Sequence, residues 1–155
     1  MKLGEVLRKE RERKRFTIEG VAADLGLPCE KYSEIEAGLS PIEEWGPKLA
    51  NIAIKLSTPT SRLISATGKS AQASLEGGQC GKLIRSHRER RQLSHEELAS
   101  RLEVTAEEIA SIENGNSPLE TYAPLLLRFS EIINQPIFNL FYPCGLPFDK
   151  LQDYP

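Results

Sequence analysis

The chain has 155 residues, enough for one average domain or two small ones, and its 39% hydrophobic and 27% charged content is that of an ordinary globular protein. No run approaches the eighteen or so apolar residues of a membrane span, and Met1 to Arg15 is charged where a signal peptide is apolar, so a cytoplasmic location without a membrane partner is expected. Three scattered cysteines (Cys29, Cys80, Cys144) and only two histidines (His87, His95) argue against a disulfide framework, a metal site or a cofactor, and the net charge of −2 is low for a nucleic-acid binder.

In chain order, the first segment is basic, with Lys2, Arg8, Lys9, Arg11, Arg13, Lys14 and Arg15 against Glu5, Glu10 and Glu12. Thr17 is placed to cap a second helix, although Gly20 stands where a capping box needs Glu or Gln. Gly26 marks a turn, Pro28 opens a third helix, and Gly38 ends it. Residues 67–78, rich in Gly, Ser, Ala and Gln, read as a flexible linker.

Beyond the linker the signals sharpen. Gly81 to Arg91 predicts an amphipathic helix on Leu83 and Ile84. Ser94-His-Glu-Glu97 predicts a capping box before a helix running to about Leu102, and Thr105-Ala-Glu-Glu108 a second box before a helix closed by Gly115. A longer helix from about Pro118 to Ile133 carries Pro124 as an interior irregularity, and Pro136 opens a short fifth helix through Phe141. Val21, Leu25, Ile35, Leu98, Leu102 and Ile112 are the expected packing residues.

Shifted by 77 residues, the chain overlays itself without gaps from Leu3–Ser65 onto Cys80–Tyr142, with roughly 19 identities in about 63 positions. Gly4 meets Gly81, Arg11 meets Arg88, Ile35-Glu36 meets Ile112-Glu113 and Ser40-Pro41 meets Ser117-Pro118. One position trades Gly26 for Glu103; if that turn needs a left-handed residue, glutamate costs on the order of 1 kcal/mol. The expected organisation is 1–66, a linker 67–78, 79–143, and a C-terminal tail 144–155.

The phrases Thr17-Ile-Glu-Gly-Val-Ala-Ala-Asp-Leu-Gly-Leu with Ile35-Glu-Ala-Gly38, and Ser94-His-Glu-Glu-Leu-Ala-Ser-Arg-Leu-Glu-Val with Ile112-Glu-Asn-Gly115, resemble the Cro and phage-repressor (Xre-like) helix-turn-helix family. The resemblance implies an all-α fold of two tandem lambda-repressor-like five-helix domains, each laying its third helix in the major groove of double-stranded DNA. By position, Cys29, Glu30, Lys31 and Ser33, then Ala106, Glu107, Glu108 and Ser111, become candidates for reading bases. Arg11, Lys14, Arg15, Arg88, Arg91, His95, Asn114 and Asn116 become candidates for holding phosphates. Glutamine, common in the family at the start of the second helix, is replaced by Ile18 and His95. The implied role is a transcriptional repressor.

Charge leaves an alternative open. The first helices are basic but the third are acidic, with Glu30 and Glu34 in one and Glu107 and Glu108 in the other. Carboxylates suit a helix N-terminus and can accept from cytosine, yet phosphates repel them. A homodimer, or a protein partner met through these acidic helices or through the apolar tail Leu140 to Phe148, is the competing reading. The tail's simplest fate is to fold back on its own domain or to seal the seam between the copies. Nothing resembles a phosphate loop or a catalytic cluster, so no enzyme is expected; Cys29, if exposed at a helix N-terminus, is placed to act as a redox handle, and a plain small side chain is the simpler reading.

Overall fold

The computed structural model describes residues 1–70 and 79–146, so the expected linker beyond Ser70 and the tail from Pro147 lie outside the described residues. The described residues form helices and no strands: α1 (Leu3–Arg13), α2 (Ile18–Leu25), α3 (Cys29–Glu36), α4 (Ile42–Lys55), α5 (Gln79–Arg90), α6 (His95–Leu102), α7 (Ala106–Glu113) and α8 (Leu119–Ile132). The predicted fifth helix is a 3-10 turn at Ile137–Leu140, as is Thr60–Leu63, and such short pieces do not sustain α-helical bonding. α4 and α8 run unbroken through Pro47 and Pro124. Each proline lies near its helix's start and removes a single backbone donor.

The caps explain the boundaries. Thr17 accepts from the Gly20 amide at 3.0 Å. Ser94 and Glu97 form the complete box, Ser94 accepting from the Glu97 amide at 3.1 Å and the Ser94 amide donating to Glu97 Oε1 at 3.2 Å. The second predicted box is half made, because Thr105 accepts from the Glu108 amide at 3.1 Å while the Glu108 carboxylate turns to Lys48. α1 and α5 are capped from a distance. The Glu43 carboxylate accepts from the Leu3 and Gly4 amides at 3.0 and 2.6 Å, and Glu120 from Cys80 and Gly81 at 3.2 and 2.8 Å, placing negative charge at a helix N-terminus.

The turns between α2 and α3 and between α6 and α7 both need a left-handed residue, Gly26 at φ 72° and Glu103 at φ 59°. Only glycine takes that conformation without a steric cost. Glu103→Gly is therefore expected to stabilise the protein by roughly 0.5–1 kcal/mol, net of the added freedom of its unfolded chain, read as a raised denaturation midpoint.

Val21, Ile35, Leu98 and Ile112 are buried as expected, and Leu25 and Leu102 pack at the edge of the core. A single buried cluster draws on both parts of the chain. α4 lies along α8, α1 meets the 3-10 turns Ile137–Leu140 and Tyr142–Cys144, and α5 meets Thr60–Leu63. Leu140 and Phe141 are fully buried, so this part of the tail folds back as its simplest reading anticipates. At the near end of the expected linker, the Ser70 amide donates to the Glu131 carboxylate at 2.8 Å.

Candidate nucleic-acid interface

α2 and α3 meet across the turn at Gly26, and α6 and α7 across the turn at Glu103, in the manner of a helix-turn-helix. In α3 the inward residues Tyr32 and Ile35 anchor the helix. Cys29, Glu30, Lys31 and Ser33 all stand exposed on its outer side. Lys31 lies 3.8 Å from Glu34, a solvated pair of little energetic weight. α7 is more covered. Glu107 is exposed, whereas Ala106 packs against the core edge and Glu108 and Ser111 are half-buried. Lys48 of α4 donates to Glu108 Oε1 at 2.8 Å and also reaches Glu44 at 3.6 Å, tying α7 to the other part of the chain.

Three of the expected phosphate ligands already have partners within the protein. Arg88 Nε and Nη2 donate to the two oxygens of Glu113 at 2.6 and 3.0 Å, and Nη1 donates to the Leu93 carbonyl at 2.7 Å. Arg11 repeats the arrangement on Glu36 at 2.7 and 3.1 Å and on the Phe16 carbonyl at 3.0 Å. The side chains of Arg88 and Glu113 are only 10% and 2% exposed, so this guanidinium is engaged inside the protein. His95 joins the same network, its Nε2 lying 3.0 Å from Glu113 Oε1.

The network fixes ionisation as well. Burial alone would raise the Glu113 carboxyl, but hydrogen bonds from Arg88 and His95 outweigh it and hold the group below its usual range. Where α6 carries His95, α2 carries Ile18, and there Tyr32 lies buried beside Glu36 and Arg11. Burial first, and the Glu36 carboxylate second, push the Tyr32 phenol up, so it stays neutral.

The remaining phosphate candidates are placed differently. Arg15, Asn114 and Asn116 are exposed and Lys14 is half-buried. Arg91 is exposed but leans across the molecule, donating to the carbonyls of His87 and Ser57, each at 3.2 Å. Sequence reasoning missed the Glu43 and Glu120 caps and Lys48. The glutamates left a signal, since they coincide at the 77-residue shift, but the Lys48 to Glu108 pairing spans 60 residues with no local trace.

A family model described as a helix-turn-helix domain matches residues 79–129, α5 to most of α8; one copy is matched, and no second was found. Comparison with curated proteins and with solved structures finds no match. Residues 79–129 thus match a helix-turn-helix domain, a class associated with DNA binding and typical of non-enzymatic regulators. Among the described residues no cluster of metal-ligating side chains occurs, and no helix is long and apolar enough to cross a membrane.

Proposed function

We propose that the chain is a tandem duplication of the helix-turn-helix domain, binds double-stranded DNA sequence-specifically, and acts as a transcriptional repressor by occluding a promoter. The observation that carries this reading is the exposure of Cys29, Glu30, Lys31 and Ser33 on α3 and of Glu107 on α7, beside buried faces that hold both helices rigidly. Supporting the duplication, both halves repeat the bidentate Arg-to-Glu pair and the distant carboxylate cap at the 77-residue shift. The four exposed α3 residues and Glu107 are the groups assigned to base edges; Arg15, Arg91, Asn114 and Asn116 are assigned to phosphates.

A second reading rests on one observation. The exposed Glu107 at the start of α7, with the exposed Glu103 in the turn before it, gives this end of the helix an acidic surface, which fits a basic protein partner better than a phosphate backbone. A salt series on random duplex DNA separates the two. DNA binding predicts that log K falls linearly with log salt, by about 0.9 per phosphate neutralised. No binding at low salt would transfer the assignment to a protein partner.

A further inference from the structure

A cluster of positive charge on this acidic chain lies at a seam where both halves meet. The 3-10 turn Thr60–Leu63 packs against α5, bringing Arg62 to the C-terminal end of that helix, where His87, Arg90 and Arg91 stand. Arg62, Arg90 and Arg91 are exposed, and among the described residues none has a carboxylate within ion-pair distance. The charged groups that bear on His87 are these three arginines, and its Nδ1 is buried with no hydrogen-bond partner. Arg62 is held in place by donating to the Ala66 carbonyl at 2.9 Å, and Arg91 by its bond to Ser57 across the seam. Lys69 is also exposed, next to Gly68, where a Cβ would meet the Arg62 side chain at 3.4 Å.

The matching seam shows that this is not a by-product of the fold. At the 77-residue shift Glu10 takes the place of His87 and Asn139 that of Arg62. There Glu10 Oε1 binds Arg13, the counterpart of Arg90, at 3.0 Å, neutralising it. The same architecture thus carries a neutralised arginine at one seam and three unneutralised arginines at the other. Like charges so close repel one another, and an anion shared among them relieves the repulsion.

We propose that Arg62, Arg90 and Arg91 form a phosphate seat, built across the two halves, that takes the backbone of a DNA duplex. The proposal rests on the DNA-binding reading and adds to it a contact made jointly by both halves, so that a single helix-turn-helix domain does not contain the seat. Bidentate arginine donors suit phosphate oxygens, and Arg91 lies three residues before the α6 cap at Ser94, within the matched helix-turn-helix.

The test compares the intact protein with Arg62→Ala/Arg90→Ala on one random duplex across a salt series. The seat predicts a slope shallower by about 2, one for each phosphate no longer neutralised, with Arg62→Lys keeping the slope of the parent. Thermal melts of the same proteins identify any variant that fails to fold, and a second measurement covers that case. In the unaltered protein, adding the duplex is expected to raise the His87 titration midpoint seen by NMR, because a bound phosphate favours the imidazolium. A duplex-binding protein whose slope and His87 titration are both unchanged would overturn the seat and leave the DNA-binding reading standing. Failure of the parent protein to bind the duplex would overturn both.

Discussion

Arg88→Ala is expected to destabilise the protein by about 3 kcal/mol, the low end for breaking a buried ion pair, because it leaves the Glu113 carboxylate with His95 alone. The loss comes less from the missing attraction than from stranding a charge that is 2% exposed. Replacing both partners, as in Arg88→Met/Glu113→Leu, is therefore expected to cost much less than either single change. Urea denaturation of the parent, Arg88→Met, Glu113→Leu and the double variant measures this coupling. The pair also sets an acid limit. A carboxyl held below its ordinary value contributes stability that is complete above the unfolded glutamate value, near ~4.3, and is lost as pH falls through the depressed folded value. The Arg88→Ala protein is expected to lose this part of the parent's pH dependence. A destabilisation under about 1 kcal/mol, the range of an exposed pair, accompanied by a weaker salt dependence of DNA binding, would return Arg88 to the phosphate.

Gly81→Ala is expected to cost about 3 kcal/mol or more, at or above the upper end for overpacking a core. A Cβ on Gly81 would lie 2.3 Å from the Ile112 carbonyl oxygen and 2.7 Å from that of Glu113. Those oxygens belong to the end of α7, so no rotamer change relieves the clash, and α5 must lift away from α7. That displacement would also open the Arg88 to Glu113 pair, which joins the same two helices. Gly4 is held in the same way, with a Cβ placed 2.2 Å from the Ile35 oxygen. By contrast, alanine at Gly20, where the nearest neighbour is the Thr17 hydroxyl at 3.1 Å, is expected to change the denaturation midpoint little. Equal effects at Gly81 and Gly20 would refute the close-approach argument.

Much of the fold is legible because its punctuation is local. Ser94 and Glu97 mark the start of α6, Thr17 that of α2, and Gly38 and Gly115 the ends of α3 and α7, each acting over a few residues. The requirement for a left-handed residue at Glu103 was legible by comparison with Gly26. The roles of the arginines were not. On a helix rich in Arg and Glu, Arg11 and Arg88 look like their solvated neighbours, and the partner that sets them apart lies 25 residues away. Their signal was present in the repeated spacing of Arg11 to Glu36 and Arg88 to Glu113, which demands a physical cause in both places.

The packing of the two halves was similarly hidden. A Gly- and Ser-rich stretch between the two halves implies independent domains, but Leu56, Leu63, Leu126 and Phe141 carry no mark that they enter one continuous core. Across that packing Lys48 engages Glu108, and α3, rather than α7, is the more open of the two helices proposed to read bases. Among the candidate base readers, the exposed set was therefore legible from position for α3 and only at Glu107 for α7.

If one molecule presents two groove-entering helices to the same duplex, its preferred DNA must carry two marks of it. Selection of bound duplexes from a random library, followed by footprinting on the winning sequence, reads those marks. The expected outcome is an enriched site with two protected half-sites about one helical turn, roughly 10 base pairs, apart, the spacing set by paired reading helices. Recovery of unenriched sequence, with no protected bases, would rule out a sequence-reading role for α3 and α7.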